Sequence, residues 1–151
     1  MPALPIDWNL LSDALMKLSI AYVCALPVGY MAEKEGHAAG VRTFPIVAMA
    51  SCGYMLILAG VGAGSIENSS RVLQGLITGI GFVGGGAILK EGMSVHGTAT
   101  AASIWNTGAI GAAVALGRYE IGIALAMLNM VTLKALIPVK RRLALEKEPG
   151  K

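Results

Sequence analysis

Asp13, Glu33, Glu35 and Glu91 are the carboxylates of this chain that could hold a hard cation such as magnesium. Magnesium takes oxygen ligands, keeps several waters and is usually met by one or two carboxylates. Glu33 and Glu35 follow one apolar run and Glu91 follows another, so the three can meet only if those runs adjoin as helices. Ordinary solvated loop charge is the preferred reading, and the cation site is the alternative. Asp13 lies within an apolar segment, where an ionisable group is a functional candidate. Lys17, four residues on, could instead neutralise it on one helix face.

A second chemistry is suggested by GIGFVGGG, residues 79–86, whose first six residues match G-x-G-x-x-G. A dinucleotide site needs a strand before the glycines, a helix opening at them and an acid about 20 positions on. Here the glycines fall inside an uncharged apolar run, 72–89, and residues 103–105 stand where the acid belongs. The context rejects the phosphate loop. Cys24 and Cys52 lie in apolar runs without metal-ligand spacing and read as buried reduced thiols. No HExxH, GxSxG or useful Cys/His spacing is present, so neither an enzyme nor a cofactor is expected.

The elements that must carry these groups follow from composition. Of 151 residues, 55% are hydrophobic and only 14% charged, and the mean hydropathy is +0.66. Soluble domains carry about 25% charge, and a soluble fold this short has too little interior for so much apolar surface. The expectation is an all-α membrane protein, one transmembrane domain over 1–151. Its five helices fall at about 10–32, 44–64, 71–89, 98–116 and 121–138, near the ~20 residues a span requires. A basic tail, 139–151, carries Lys140, Arg141, Arg142, Lys147 and Lys151. By the positive-inside bias it is cytoplasmic, with Lys34, Arg42 and Lys90 on the same side and the N-terminus outside. No aromatic residue lies among those C-terminal charges, which argues against nucleic acid as a partner.

Set at 100° per residue, Gln74, Gly75, Thr78, Gly79, Gly81, Phe82, Gly85 and Gly86 share one side of the third span. Val72, Leu73, Leu76, Ile77, Ile80, Val83, Ala87 and Ile88 share the other, and Gly84 strays. The pairs Gly75/Gly79 and Gly81/Gly85 have the small-xxx-small spacing of close helix contacts. The expectation is that this small side faces the protein and the aliphatic side faces lipid. An ion or ligand path along it is the alternative. The fourth span, rich in Ala and Gly, should occupy the middle of the bundle. Its Thr100, Ser103, Asn106 and Thr107 should bond to their own carbonyls or across to Gln74 and Thr78. Asn129 adds an amide to span five.

Three segments, AEKEGHAAGVRT (32–43), SSRVLQGLITGIGFVGGGAIL (69–89) and VHGTATAASIWNTGAIGAAVALG (95–117), resemble the MgtC/SapB family of bacterial inner-membrane proteins. An AGLRT-like motif corresponds to Ala39, Gly40, Val41, Arg42 and Thr43. The arginine that opens the glycine-rich helix corresponds to Arg71, and a TTAA-x-x-W motif to Thr100, Ala101, Ala102 and Trp105. Asn68 departs from the Asp that many members carry there. The chain resembles the short form without a C-terminal ACT-like domain. The resemblance implies growth at low magnesium and, in pathogens, virulence through survival in host cells. It also implies either a magnesium transport component or a regulator of other membrane proteins, ATPases among them. The residues favour the regulator, acting in the bilayer by helix-helix contact through positions such as Gly75, Gly79, Gly81, Gly85 and Asn106. A transporter of magnesium or another cation is the alternative, and the small-residue faces permit a homo-oligomer.

Overall fold

A computed structural model describes residues 6–37, 39–60, 66–92 and 94–136. Among them the chain forms α1 (Trp8–Lys34), α2 (Thr43–Gly60), α3 (Ile66–Gly85), β1 (Leu89–Glu91), β2 (Ser94–His96), α4 (Thr98–Ala115) and α5 (Tyr119–Ala135). The basic tail, the end of the second expected span and the side chain of Asn68 lie outside the described residues.

Local chemistry sets the helix ends. The Asp7 carboxylate accepts from the N–H groups of Asn9 and Leu10 at 2.9 and 3.2 Å and caps α1. The helix runs on through Pro27 and is about 40 Å long. It closes at Gly36, φ 76°, where His37 N–H donates to the Ala32 carbonyl and Gly36 N–H to that of Glu33. α4 closes in the same way at Gly117, φ 71°, with Arg118 N–H on Ala113 and Gly117 N–H on Val114. A positive φ suits glycine, and the paired bonds satisfy the last carbonyls. The tight turn at 116–118 lays α5 back along α4.

α4 is the central element, as its composition foretells. It packs most extensively on α2 and also on α5, α3 and α1. Small residues make this possible: a Cβ at Gly111 would overlap the Ala48 carbonyl of α2. One core cluster gathers Val28, Phe44, Ile80, Ile104 and Ile110. The other gathers Ala21, Ala25, Ala48, Cys52, Met55 and Val114.

The facing of α3 is the reverse of expectation. Gln74, Gly75, Thr78, Gly79, Gly81, Phe82, Gly85 and Gly86 are all exposed, Phe82 at 86%. A Cβ added at Gly75, Gly79, Gly81 or Gly85 would meet nothing within 4 Å. The protein-facing row is Val72, Leu76, Ile80, Gly84 and Ala87. The reason lies in α4, which already supplies the small residues. Ile80 fills the space above Gly108, so that a Cβ there would collide with its side chain. Gly84, the residue that strayed from the glycine face, sits over the Ala101 carbonyl, 3.0 Å from where its Cβ would be. A helix of holes needs a helix of knobs. Gly84→Leu is therefore expected to cost about 1–3 kcal/mol, and Ala87→Leu to overfill the core it borders. Gly81→Leu should leave the stability of a single chain unchanged. Thermal unfolding in detergent checks this, and equal shifts for Gly81→Leu and Gly84→Leu would contradict the facing.

The third span also ends early. The helix stops at Gly85, and residues 89–91 pair with 94–96 in an antiparallel hairpin, Leu89 opposite His96 and Glu91 opposite Ser94. Gly92 turns it with φ 60°. Among the described residues only α1 is both long and apolar enough to cross a membrane, and Thr43–Ala59 is a shorter apolar helix.

Candidate functional site

Two polar constellations stand out. The first joins the end of α1 to the start of α2. A Glu33 carboxylate oxygen accepts the Val41 N–H at 2.8 Å, and Phe44 N–H donates to the Gly40 carbonyl to begin α2. Gly40 must lack a side chain, because a Cβ there would collide with Glu33. A Cβ at Gly29 would lie 2.9 Å from the Gly40 carbonyl oxygen, so α1 and this loop are in close backbone contact. Ala39 is buried, Arg42 is exposed and Thr43 is half-buried. The family-like motif 39–43 is thus a clamp, with Glu33 as its latch. Glu35 Oε1 and His37 Nδ1, nearby in sequence, are buried and lack hydrogen-bond partners.

The second constellation lies between α4 and α5. Ser103 Oγ donates to Asn129 Oδ1 at 2.9 Å, and Asn106 Nδ2 donates to the Leu125 carbonyl at 3.3 Å. Thr132 donates to the Leu128 carbonyl within α5. These groups, with Ala99, Ala102 and Leu133, line a recess of about 310 Å³. Ser103 and Asn106 are three residues apart, as are Asn129 and Thr132, so each pair shares a helix face. That spacing was the available sign that the polar side of α4 meets α5. It does not reach Gln74 and Thr78, and Thr78 bonds back to the Gln74 carbonyl in its own helix. Thr107 likewise donates to the Ser103 carbonyl. At the turn between α4 and α5, the Arg118 guanidinium beside Glu120 holds that carboxyl below the usual carboxylate range.

The four candidate metal carboxylates are not brought together. Asp13 pairs with Lys17 at 2.9 Å, Glu33 holds the clamp, and Glu91 lies exposed on β1. Among the described residues α1 and α3 share no substantial interface. Among the described residues no three His, Cys, Asp or Glu side chains gather as a metal site. Thr100 is buried at 1% exposure with its hydroxyl unpartnered. Trp105 is half exposed at 51%, and Arg71 is exposed in the second turn of α3. A further recess of about 490 Å³ lies between α2 and α3, lined by Val47, Ser51, Tyr54, Gly75, Gly79 and Val83 among others.

The model of the MgtC family matches residues 18–142. The chain is 32% identical over 147 residues to protein SrpB of Synechococcus elongatus, covering 89% of this chain and 79% of SrpB. It is 30% identical over 133 residues to protein slr0014 of Synechocystis, covering 88% of this chain and 55% of that one. It is also 30% identical over 129 residues to YhiD of Escherichia coli K12, which is named provisionally as a magnesium transporter. That match covers 82% of this chain and 60% of YhiD. The chain thus spans little more than half the length of slr0014 and YhiD. No solved structure matches.

Proposed function

The chain belongs to the MgtC family, and on that premise we propose that it is a multi-pass protein of the bacterial inner membrane that regulates partner membrane proteins under magnesium limitation. The magnesium link rests on the family and on the name of YhiD. Support for the membrane placement comes from the outer surface. Val23, Tyr30, Ile46, Ile57, Phe82, Leu128 and Val131 are among many large apolar side chains left exposed around the bundle. The core mixes many alanines and a few hydroxyl residues with a small number of larger side chains such as Phe44, Ile104 and Ile110. Water does not tolerate so continuous an apolar exterior on a monomer, whereas a bilayer does. Five helices then place the termini on opposite sides, with the C-terminus cytoplasmic.

The observation that carries the regulator reading is the uncovered glycine face of α3, of which Gly75 and Gly79 also border the recess against α2. Gly75, Gly79, Gly81 and Gly85 have open space before them, and within lipid such a face permits another helix to approach closely. The groups a cation route would need are divided among three places. Gln74 and Thr78 are on the outer side of α3, Ser103 and Asn106 are at α5, and Asp13 is in its own ion pair. Magnesium transport remains the second reading, favoured by the name of YhiD.

The deciding measurement is magnesium flux into liposomes holding only the purified chain, alongside co-purification of membrane partners from cells. The expected result is no flux above empty liposomes and retention of a partner by wild type. Gly79→Leu should lose that partner while unfolding at the wild-type temperature. Saturable flux abolished by Asn106→Leu would overturn the regulator reading. For topology, a cysteine at Lys151 is expected to react with an impermeant reagent only from the cytoplasmic side.

A further inference from the structure

We infer that the recess between α4 and α5 is a binding site for a neutral amphiphile that presents an ester carbonyl oxygen beside an acyl chain. The inference rests on the membrane placement proposed above. The volume, about 310 Å³, is roughly ten times a water molecule's ~30 Å³ share of the liquid, so the space suits an organic ligand.

The polar groups decide which ligand. Ser103 is 4% exposed, and its hydroxyl donates to Asn129 Oδ1 at 2.9 Å. That bond sets which way the Asn129 amide points. Asn129 Nδ2 is buried and has no partner. An orphaned buried N–H is costly and calls for an acceptor oxygen. Asn106 directs an N–H to the Leu125 carbonyl and the Thr132 hydroxyl donates to that of Leu128, and the oxygens of neither side chain accept from Asn129 Nδ2. Among the described residues no Asp, Glu, Lys, Arg or His lines the recess. A charged ligand would find no counter-charge, and a metal ion would face an amide donor. The remaining wall is Ala and Leu, which suits hydrocarbon.

Depth is consistent with this chemistry. Asn129 lies six residues before Ala135, the end of α5, which is about 9 Å along the axis. With the end of α5 at the inner membrane surface, Asn129 sits just below the level at which glycerol esters give way to acyl chains. A bilayer phospholipid and a free acylglycerol both present the required ester.

The test uses the purified chain in detergent, native mass spectrometry, and an equal mixture of diacyl phosphatidylethanolamine and its diether analogue, which lacks the carbonyls. Wild type is expected to retain the diester about three- to tenfold over the diether, the discrimination one hydrogen bond supplies. Asn129→Leu should bring that ratio to about one. Ala102→Leu, which narrows the recess without touching the amide, should reduce retention of both lipids. If Asn129→Leu does not fold, Ala102→Leu decides. Displacement of the phospholipid by monoacylglycerol supports a free ester as the ligand, and resistance to it supports a bilayer lipid. Equal retention of diester and diether by wild type overturns the inference, as does full lipid retention in Ala102→Leu. A chain that fractionates with membranes yet shows no ester preference overturns this inference alone. One recovered in the soluble fraction overturns the membrane placement.

Discussion

Gly111→Ala is expected to lower the thermal unfolding midpoint in detergent sharply, and Gly111→Leu to leave no monodisperse folded protein. A single methyl at this position would lie on the Ala48 carbonyl oxygen and 2.9 Å from the Ser51 Cβ. The obstacle is backbone, which cannot swing aside, and the interface concerned, α2 against α4, is the most extensive in the bundle. Relief requires the two helices to part along their length. Overpacking usually costs about 1–3 kcal/mol, and this case belongs at the top of that range. Gly75→Ala is the control. Its added methyl meets nothing within 4 Å, and alanine in a helix is favoured over glycine by about 0.5–1 kcal/mol. Its midpoint should hold or rise. Equal losses at the two positions would show that helix approach at Gly111 is not the cause.

The second large effect is expected at Gly97, between the hairpin and α4. Its φ is 83°, a left-handed conformation that costs an L-residue roughly 1–2 kcal/mol. A Cβ would in addition overlap the Ala87 carbonyl oxygen. Gly97→Ala must therefore change φ, and the first turn of α4 and the β1–β2 pairing cannot both survive that change. Hydrogen exchange should report it directly. Amides of 89–91 and 94–96 should lose protection in Gly97→Ala, while those of α5 keep theirs. Retained hairpin protection would refute the assigned role of Gly97.

The helices and the centrality of α4 were legible because they depend on composition alone. An uncharged run long enough to span, bounded by charge and turn residues, needs no partner to be recognised, and a helix small on every side can only be surrounded. The Asp13–Lys17 pair was legible for a similar reason, since i, i+4 spacing is local. The facing of α3 was not. Its seven small and polar residues do share one side with Phe82, but sidedness does not reveal which side meets the protein. That depends on what α4 presents at Gly108 and Ala101, some 20 residues away, and therefore on packing across sequence distance. The hairpin was missed because strands of three residues barely show an alternation. Glu33 was weighed as a ligand against ordinary solvated loop charge, and neither reading foresaw its role. Its bond to Val41 N–H, eight residues on, depends on the close approach that Gly29 and Gly40 allow. The Ser103–Asn129 bond crosses 26 positions, and only the matched i, i+3 polar pairs on the two helices hinted at it.

The position of α4 also bears on how the chain is assembled during synthesis. α1, α2 and α3 leave the ribosome before the helix against which all three pack. Until residues 98–115 arrive, Ile80 lacks the Gly108 surface it fills, and among the described residues the α1–α2 contact is the most extensive one available. α4 itself, full of Ala, Gly, Ser, Thr and Asn, gains little from lipid and depends on neighbours already in place. The bundle therefore cannot be completed stepwise from the N-terminus. It closes late and in one event, when α4 enters with α5 folded back upon it by the Gly117 turn. A chain interrupted after α3 should accordingly be a substrate for membrane quality control rather than a stable fragment.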